Sequence, residues 1–225
     1  MNRKLGFATI AAALVGGVAA YYGGWATVTV ENLPEQLIAG QPYNMTFSIR
    51  QHGHEPLDDL TPRVEMSAGG SEVVARAVRT NKRGYYTATL NVPKSGEWNT
   101  TIQTSFGKSH LKLLPIEAVN AGARKAAGWT QSERGQRLFV AKGCVACHQH
   151  AKVDGSGYYK VGPDLTEKRF AADYLKQFLA DPSIKPRTPN TPPMPDLDLQ
   201  GAEIAALVAF INADQPKRTA AAEKQ

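Results

Sequence analysis

The chain has 225 residues, enough for two small domains, with 42% hydrophobic and 20% charged side chains and no low-complexity tract, which excludes a fibrous or disordered polymer. Its net charge of +6 is spread evenly: residues 1–129 carry 13 Lys and Arg against 9 Asp and Glu, and residues 130–225 carry 13 against 11. With no basic block or stripe, composition predicts no nucleic-acid partner, and two cysteines placed together at Cys144 and Cys147 leave no disulfide framework to build.

At the N-terminus, Arg3 and Lys4 precede an uncharged run over residues 6–22 that is rich in Ala, Val, Leu and Gly. A cleaved secretory signal has this layout, with Val18-Ala19-Ala20 as small residues before a cut. A membrane helix needs roughly 17–25 apolar residues, a length this run just reaches. Tyr21, Tyr22 and Trp25 stand where an interfacial aromatic belt would lie, with Arg3 and Lys4 on the cytoplasmic side. The preferred reading is an uncleaved anchor, and both readings export the remainder of the chain.

Residues 25–119 read as short alternating segments separated by turn formers. Segments at 25–30, 43–50, 63–67, 72–78, 85–92, 98–106 and 110–116 are parted by clusters such as Ala39-Gly40-Gln41-Pro42 and Pro93-Lys94-Ser95-Gly96. Seven strands at this spacing predict an all-β, immunoglobulin-like sandwich. Ile38-Ala39-Gly40-Gln41-Pro42, Gly84-Tyr85-Tyr86 and Ser95-Gly96-Glu97-Trp98 resemble the YtkA-like family of exported β-domains, a likeness of fold that implies little chemistry. His52 and His54, two apart, would share one face of a strand. With Met45, Met66 and His110 they are candidates for a copper site, since thioether and imidazole suit Cu(I). The alternative is a solvated hairpin end beside Glu55, Asp58 and Asp59.

The most informative stretch is Cys144-Val145-Ala146-Cys147-His148. Thiols three apart can each form a thioether with a vinyl group of one haem, and the adjacent imidazole then lies under the iron. The C-x-x-C-H pattern therefore reads as c-type haem attachment, with one haem expected because the pattern occurs once. A thioredoxin-like pair would expect a preceding strand, whereas residues 130–142 read as a helix opened by a Thr130-Gln131-Ser132-Glu133 capping box. A zinc site would need further thiolates.

Downstream come the turn Val161-Gly162-Pro163-Asp164-Leu165, an amphipathic helix over residues 170–179, a proline-rich loop holding Met194, and a last helix with Ile204, Leu207, Val208, Phe210 and Ile211 on a broad stripe. This order resembles class I cytochromes c, an all-α fold, over residues 130–214. The resemblance implies that Gly135 permits close crossing of the first and last helices, with Phe139 and Phe210 beside it. It also implies that the Pro163 carbonyl accepts the second imidazole N–H of His148 and that Met194 is the sixth ligand of the iron. His150 is expected to be a solvated surface histidine.

The expected layout is a signal anchor or transmembrane helix over residues 1–24, the sandwich over 25–119, a linker over 120–129, the cytochrome c domain over 130–214 and a polar tail over 215–225. The expected function is single-electron transfer by a membrane-tethered, single-pass protein with its domains on the periplasmic side of a bacterial membrane. Its partner would be a redox protein or a respiratory or photosynthetic membrane complex. Copper handling or redox sensing through His52 and His54 is the alternative. A haem peroxidase, in which Met194 leaves the iron, is a third.

Overall fold

The computed structural model describes residues 24–123, 128–185 and 192–213. Alternating apolar residues and turn glycines build nine strands in the first part: β1 (Ala26–Val30), β2 (Leu37–Ile38), β3 (Tyr43–Gln51), β4 (Glu55–Pro56), β5 (Arg63–Ala68), β6 (Ser71–Arg79), β7 (Tyr85–Leu90), β8 (Gly96–Gln103) and β9 (His110–Val119). Four helices follow: α1 (Gln131–Ala141), α2 (Cys144–Cys147), α3 (Ala172–Ala180) and α4 (Gly201–Ile211).

The strands form one continuous sheet curled into a half-barrel, in the order β1-β3-β7-β6-β5-β8-β9-β2, with β4 on the flank of β3. This overturns the immunoglobulin-like sandwich expected from the strand spacing. The reason lies in β6. Its first residues pair with β5, through Arg63↔Arg76 to Ala68↔Ser71, and its last three pair with β7, through Ala77↔Ala88 to Arg79↔Tyr86. One long strand thus joins what would otherwise be two sheets. Alternation specifies which side chains face inward but not which strands become partners.

The hollow of the sheet holds Phe47, Ile49, Met45, Met66, Tyr86, Trp98, Ile102 and Leu111, all buried. Trp98 donates its indole N–H to the Lys94 carbonyl at 3.1 Å, and the Tyr86 hydroxyl donates to the Leu57 carbonyl at 2.8 Å. A buried indole of this kind is worth about 3–5 kcal/mol against alanine.

Strand β1 is buried along all five residues, Thr27 and Thr29 included. An edge strand of an isolated sheet would expose that second face; here the helices cover it. The Thr29 hydroxyl donates to the Lys142 carbonyl at 3.4 Å. A Cβ on Gly143 would stand 2.6 Å from the Val28 carbonyl oxygen, so the chain leaving α1 lies directly on β1. Arg134 pairs with Glu35 at 3.3 Å, and Arg137 donates to the Pro115 carbonyl at 2.7 Å. Sheet and helices share one continuous apolar cluster.

The helical part is organised by the crossing of α1 and α4. The capping box of Thr130 and Glu133 opens α1, with both reciprocal bonds present. A Cβ on Gly135 would fall 2.0 Å from the Ala206 carbonyl oxygen, so only glycine permits this approach. The Phe139 and Phe210 rings stand 5.5 Å apart beside it. Lys142, 2% exposed, forms a 2.9 Å ion pair with Glu203 that fastens the end of α1 to the start of α4.

Among the described residues no helix is long and apolar enough to cross a membrane. Residues 1–23 of the expected anchor lie outside the described residues, as do 124–127 of the linker and all of the tail. Trp25, expected at an interfacial belt, instead stacks on Tyr159 with ring centroids 4.3 Å apart.

Candidate haem site

Gly143, with φ of +79°, ends the path out of α1 and starts the single turn α2. That turn places Cys144 and Cys147 three residues apart on one side, and the His148 N–H donates to the Cys144 carbonyl at 2.8 Å. The chain becomes extended at His148, which carries its imidazole out of the turn.

The segment after the motif folds back along it. Gly157, Tyr159 and Gly162 donate backbone N–H groups to the carbonyls of Val145, Ala146 and Cys147 at 2.7, 3.0 and 2.9 Å. Gly162 lies flat beneath the imidazole: a Cβ there would stand 2.5 Å from Cε1 and 2.6 Å from Nδ1 of His148. The next residue supplies the acceptor, with His148 Nδ1–H donating to the Pro163 carbonyl at 3.1 Å. This bond assigns the ring proton to Nδ1 and leaves the Nε2 lone pair able to ligate a metal. Burial pushes the His148 pKa down while the Pro163 bond opposes it, so the ring is neutral near pH 7, the form that binds metal.

Burial also pushes the Cys144 thiol up to about 12 and the Cys147 thiol up to about 11. A thioredoxin-like pair or a zinc site works through thiolates whose pKa is lowered. These two are protonated at neutral pH, which disfavours a thioredoxin-like pair, and among the described residues no group of three or more His, Cys, Asp or Glu side chains could complete a zinc site. The donor set instead fits haem c: paired thiols on one turn, an imidazole oriented by a carbonyl, and a thioether on a loop stiffened by Pro192, Pro193 and Pro195. Met194 is half-buried and packs against the apolar cluster.

A cavity of about 460 Å³ separates that loop from the segment supporting His148, lined by Trp25, His52, His54, Val161, Pro192 and Pro193. Three of these six belong to the sheet. Sequence reading assigned none of the three to the site, because their approach depends on how the sheet packs. The His52-Gly53-His54 stretch is a turn, not a strand: His52 has φ of +51° and Gly53 of +81°. The shared-face premise for a copper site therefore fails. His52 meets the edge of Trp25 at 5.1 Å, and His54 reaches the Pro193 carbonyl at 3.2 Å. Met45 and Met66 are sealed in the sheet core, and the His110 ring bonds its own loop at the Lys108 carbonyl.

His150 departs from expectation. It is 1% exposed, with its ring 4.3 Å from Phe210 and 5.7 Å from Phe139, and its Nδ1 accepts from the Lys152 N–H at 3.3 Å. Burial is the main cause that lowers its pKa, with Lys152 and Arg169 acting in the same direction. It is an aromatic member of the core where the helices cross.

A family model described as Cytochrome c matches residues 132–213. The C-terminal region is therefore a cytochrome c domain, which implies a covalently bound haem c and an electron-carrying role. No curated protein matches the chain. Among solved structures, similarity extends to a proposed glycoside hydrolase from Bacteroides vulgatus at 13% identity and TM-score 0.32, over 40% of this chain and 17% of that one. A superoxide reductase (neelaredoxin) from Ignicoccus hospitalis matches at 20% identity and TM-score 0.31, over 41% and 80% of the two chains. The ZirS C-terminal domain matches at 9% identity and TM-score 0.32, over 53% and 87%.

Proposed function

We propose that this protein carries single electrons through one haem c, which Cys144 and Cys147 would join covalently and His148 and Met194 would ligate. It does so on the extracytoplasmic side of a bacterial membrane, for a redox protein or a membrane electron-transfer complex. The observation that carries the reading is the His148–Pro163 bond of 3.1 Å beside the C-x-x-C turn, which leaves one imidazole nitrogen for iron.

When bound, haem c supplies a one-electron Fe(III)/Fe(II) couple. The chain's own residues do the rest. Cys144 and Cys147 fix the group covalently. Pro163 and Gly162 hold the imidazole of His148 in one tautomer and plane. Met194 would supply the second ligand, whose thioether would favour the reduced form and so raise the potential. Export is supported by the basic-then-apolar start of the sequence and by the YtkA-like resemblance of residues 25–119, which we take as the first of two domains preceding a second at 130–214.

Denaturing electrophoresis after acid–acetone extraction tests the core of this reading. The expected outcome is a haem-stained band of full length, found outside the cytoplasm on cell fractionation. Complete loss of haem under that extraction would refute covalent attachment.

A further inference from the structure

We propose that the turn between β3 and β4 is a clamp on the Met194 loop, making Arg50, Gly53 and His54 of the sheet positioning residues for the sixth ligand of the iron. This rests on the ligation by Met194 proposed above.

The loop cannot hold itself in the usual way. Pro192, Pro193 and Pro195 have no backbone N–H, so the segment around Met194 is rich in acceptors and poor in donors. Two hydrogen bonds reach residues 192–196 from outside the loop among the described residues, and both come from the sheet. His54 Nε2–H donates to the Pro193 carbonyl at 3.2 Å, and Arg50 Nη1 donates to the Asp196 carbonyl at 3.3 Å. The carbonyl held by His54 belongs to the peptide unit leading into Met194.

Between these two bonds the turn packs against the Pro195 ring. A Cβ on Gly53 would stand 3.1 Å from Pro195 Cγ, so the turn lies against the residue that follows Met194. The turn is itself braced: the His54 N–H donates to the Gln51 carbonyl at 3.0 Å, and the His52 N–H to the Trp25 carbonyl at 3.0 Å. Residues on both sides of Met194 are thus tied to a strand whose register is set by pairing with β1 and β7. A thioether is a weak ligand, weakest toward Fe(III), and its retention depends on how little freedom the loop gains by letting go. The clamp removes that freedom. It also gives the sheet a role in the redox centre beyond that of a spacer.

The test uses the full-length holoprotein with Arg50→Ala plus His54→Ala. The double variant is expected to keep covalent haem and the parental far-ultraviolet dichroism. In the ferric state it should bind cyanide about tenfold faster, the factor that two exposed hydrogen bonds, each at the low end of the usual net worth, together make in the opening equilibrium of the loop. Its potential should fall, and the weak near-infrared absorption of thioether-bound ferric haem should be lost at lower temperature than in the parent. His54→Gln, which keeps an N–H donor, should recover most of the parental behaviour. Met194→Ala is the control. Parental cyanide kinetics, absorption and potential in the double variant, with all three altered in Met194→Ala, would overturn the clamp and leave the ligation standing. If Met194→Ala is itself parental, the ligation reading fails and the clamp falls with it. Should the double variant fail to fold, His54→Ala alone, at an exposed turn, decides by the same three readings.

Discussion

The two halves of this molecule are held together by different means. The sheet closes over its own core, in which Trp98, Phe47, Tyr86 and Met45 are sealed by paired strands on every side that matters. The helical half is organised by the crossing of α1 and α4, and its connections at 148–171, 181–185 and 192–200 carry little regular structure. Further order comes from the bonds that fold residues 157–162 back on the C-x-x-C turn, from the reciprocal 3.0 Å bonds between Phe170 and Asn212, and from the wall of β1. Stability in the first half is stored in pairing and burial. In the second it rests on one helix crossing, on scattered loop bonds and on the neighbouring sheet.

Removing the cofactor's attachment separates the halves most sharply. Cys144→Ser with Cys147→Ser is expected to abolish the haem-stained product and to melt most of the helical half, while the sheet keeps its cooperative unfolding transition. Hydrogen exchange read by segment checks this: amides of α1 and α4 should lose protection and those of β3, β7 and β8 should keep it. Loss of protection in both halves alike would mean that the sheet also depends on the cofactor.

A smaller break falls at the seam. Lys142→Ala leaves Glu203 without its buried partner beside the start of α4, at an expected cost of about 3–5 kcal/mol in denaturant unfolding. Lys142→Met combined with Glu203→Leu should recover most of that loss, since both charges then leave together. An equal loss in the single and double variants would show that the site cannot accept apolar side chains, and that charge pairing is not what fastens the two helices.

These contrasts also explain what was readable from the sequence. The haem motif is a matter of spacing within five residues, and the capping box of Thr130 and Glu133 within four, so both are visible without tertiary knowledge. The burial of His150 is not, because it arises from Phe139 and Phe210, which lie 71 residues apart in the chain and meet only at the helix crossing. Thr27 and Thr29 alternate with apolar residues as an exposed strand face would, and only the docking of α1 buries them. His52 and His54 misled by local pattern: spacing by two implies a shared face only on extended backbone, and His52 is in the left-handed region. The joining of sheets by β6 was illegible for a similar reason, since alternation is the same whichever strand lies alongside.

The smallest expected effect belongs to the sheet alone. Asp58 accepts the Gly84 N–H at 2.8 Å and pairs with Arg83 at 3.1 Å and Arg79 at 3.3 Å. The Gly84 bond first, then Arg83, holds its carboxyl below the usual carboxylate range. A carboxylate lowered in the folded state contributes stability above its unfolded pKa, about 3.9, and loses it as the pH falls through the folded value. Asp58→Asn should therefore lower the melting temperature of the sheet at pH 7, with the gap to the parent closing below about pH 4. A gap independent of pH would assign the loss to altered hydrogen bonding instead of charge.

The central proposal, that Met194 would join His148 in holding the haem iron of an electron carrier, is tested most directly at Met194. In the parent, ferric protein should show the weak near-infrared absorption of a thioether ligand, and ferrous protein should exclude carbon monoxide. Met194→Ala should abolish that absorption, lower the reduction potential and admit carbon monoxide promptly. A parent that already binds carbon monoxide, or a Met194→Ala variant with the parent's spectrum and potential, would contradict the account and return the protein to the enzymes with an open haem.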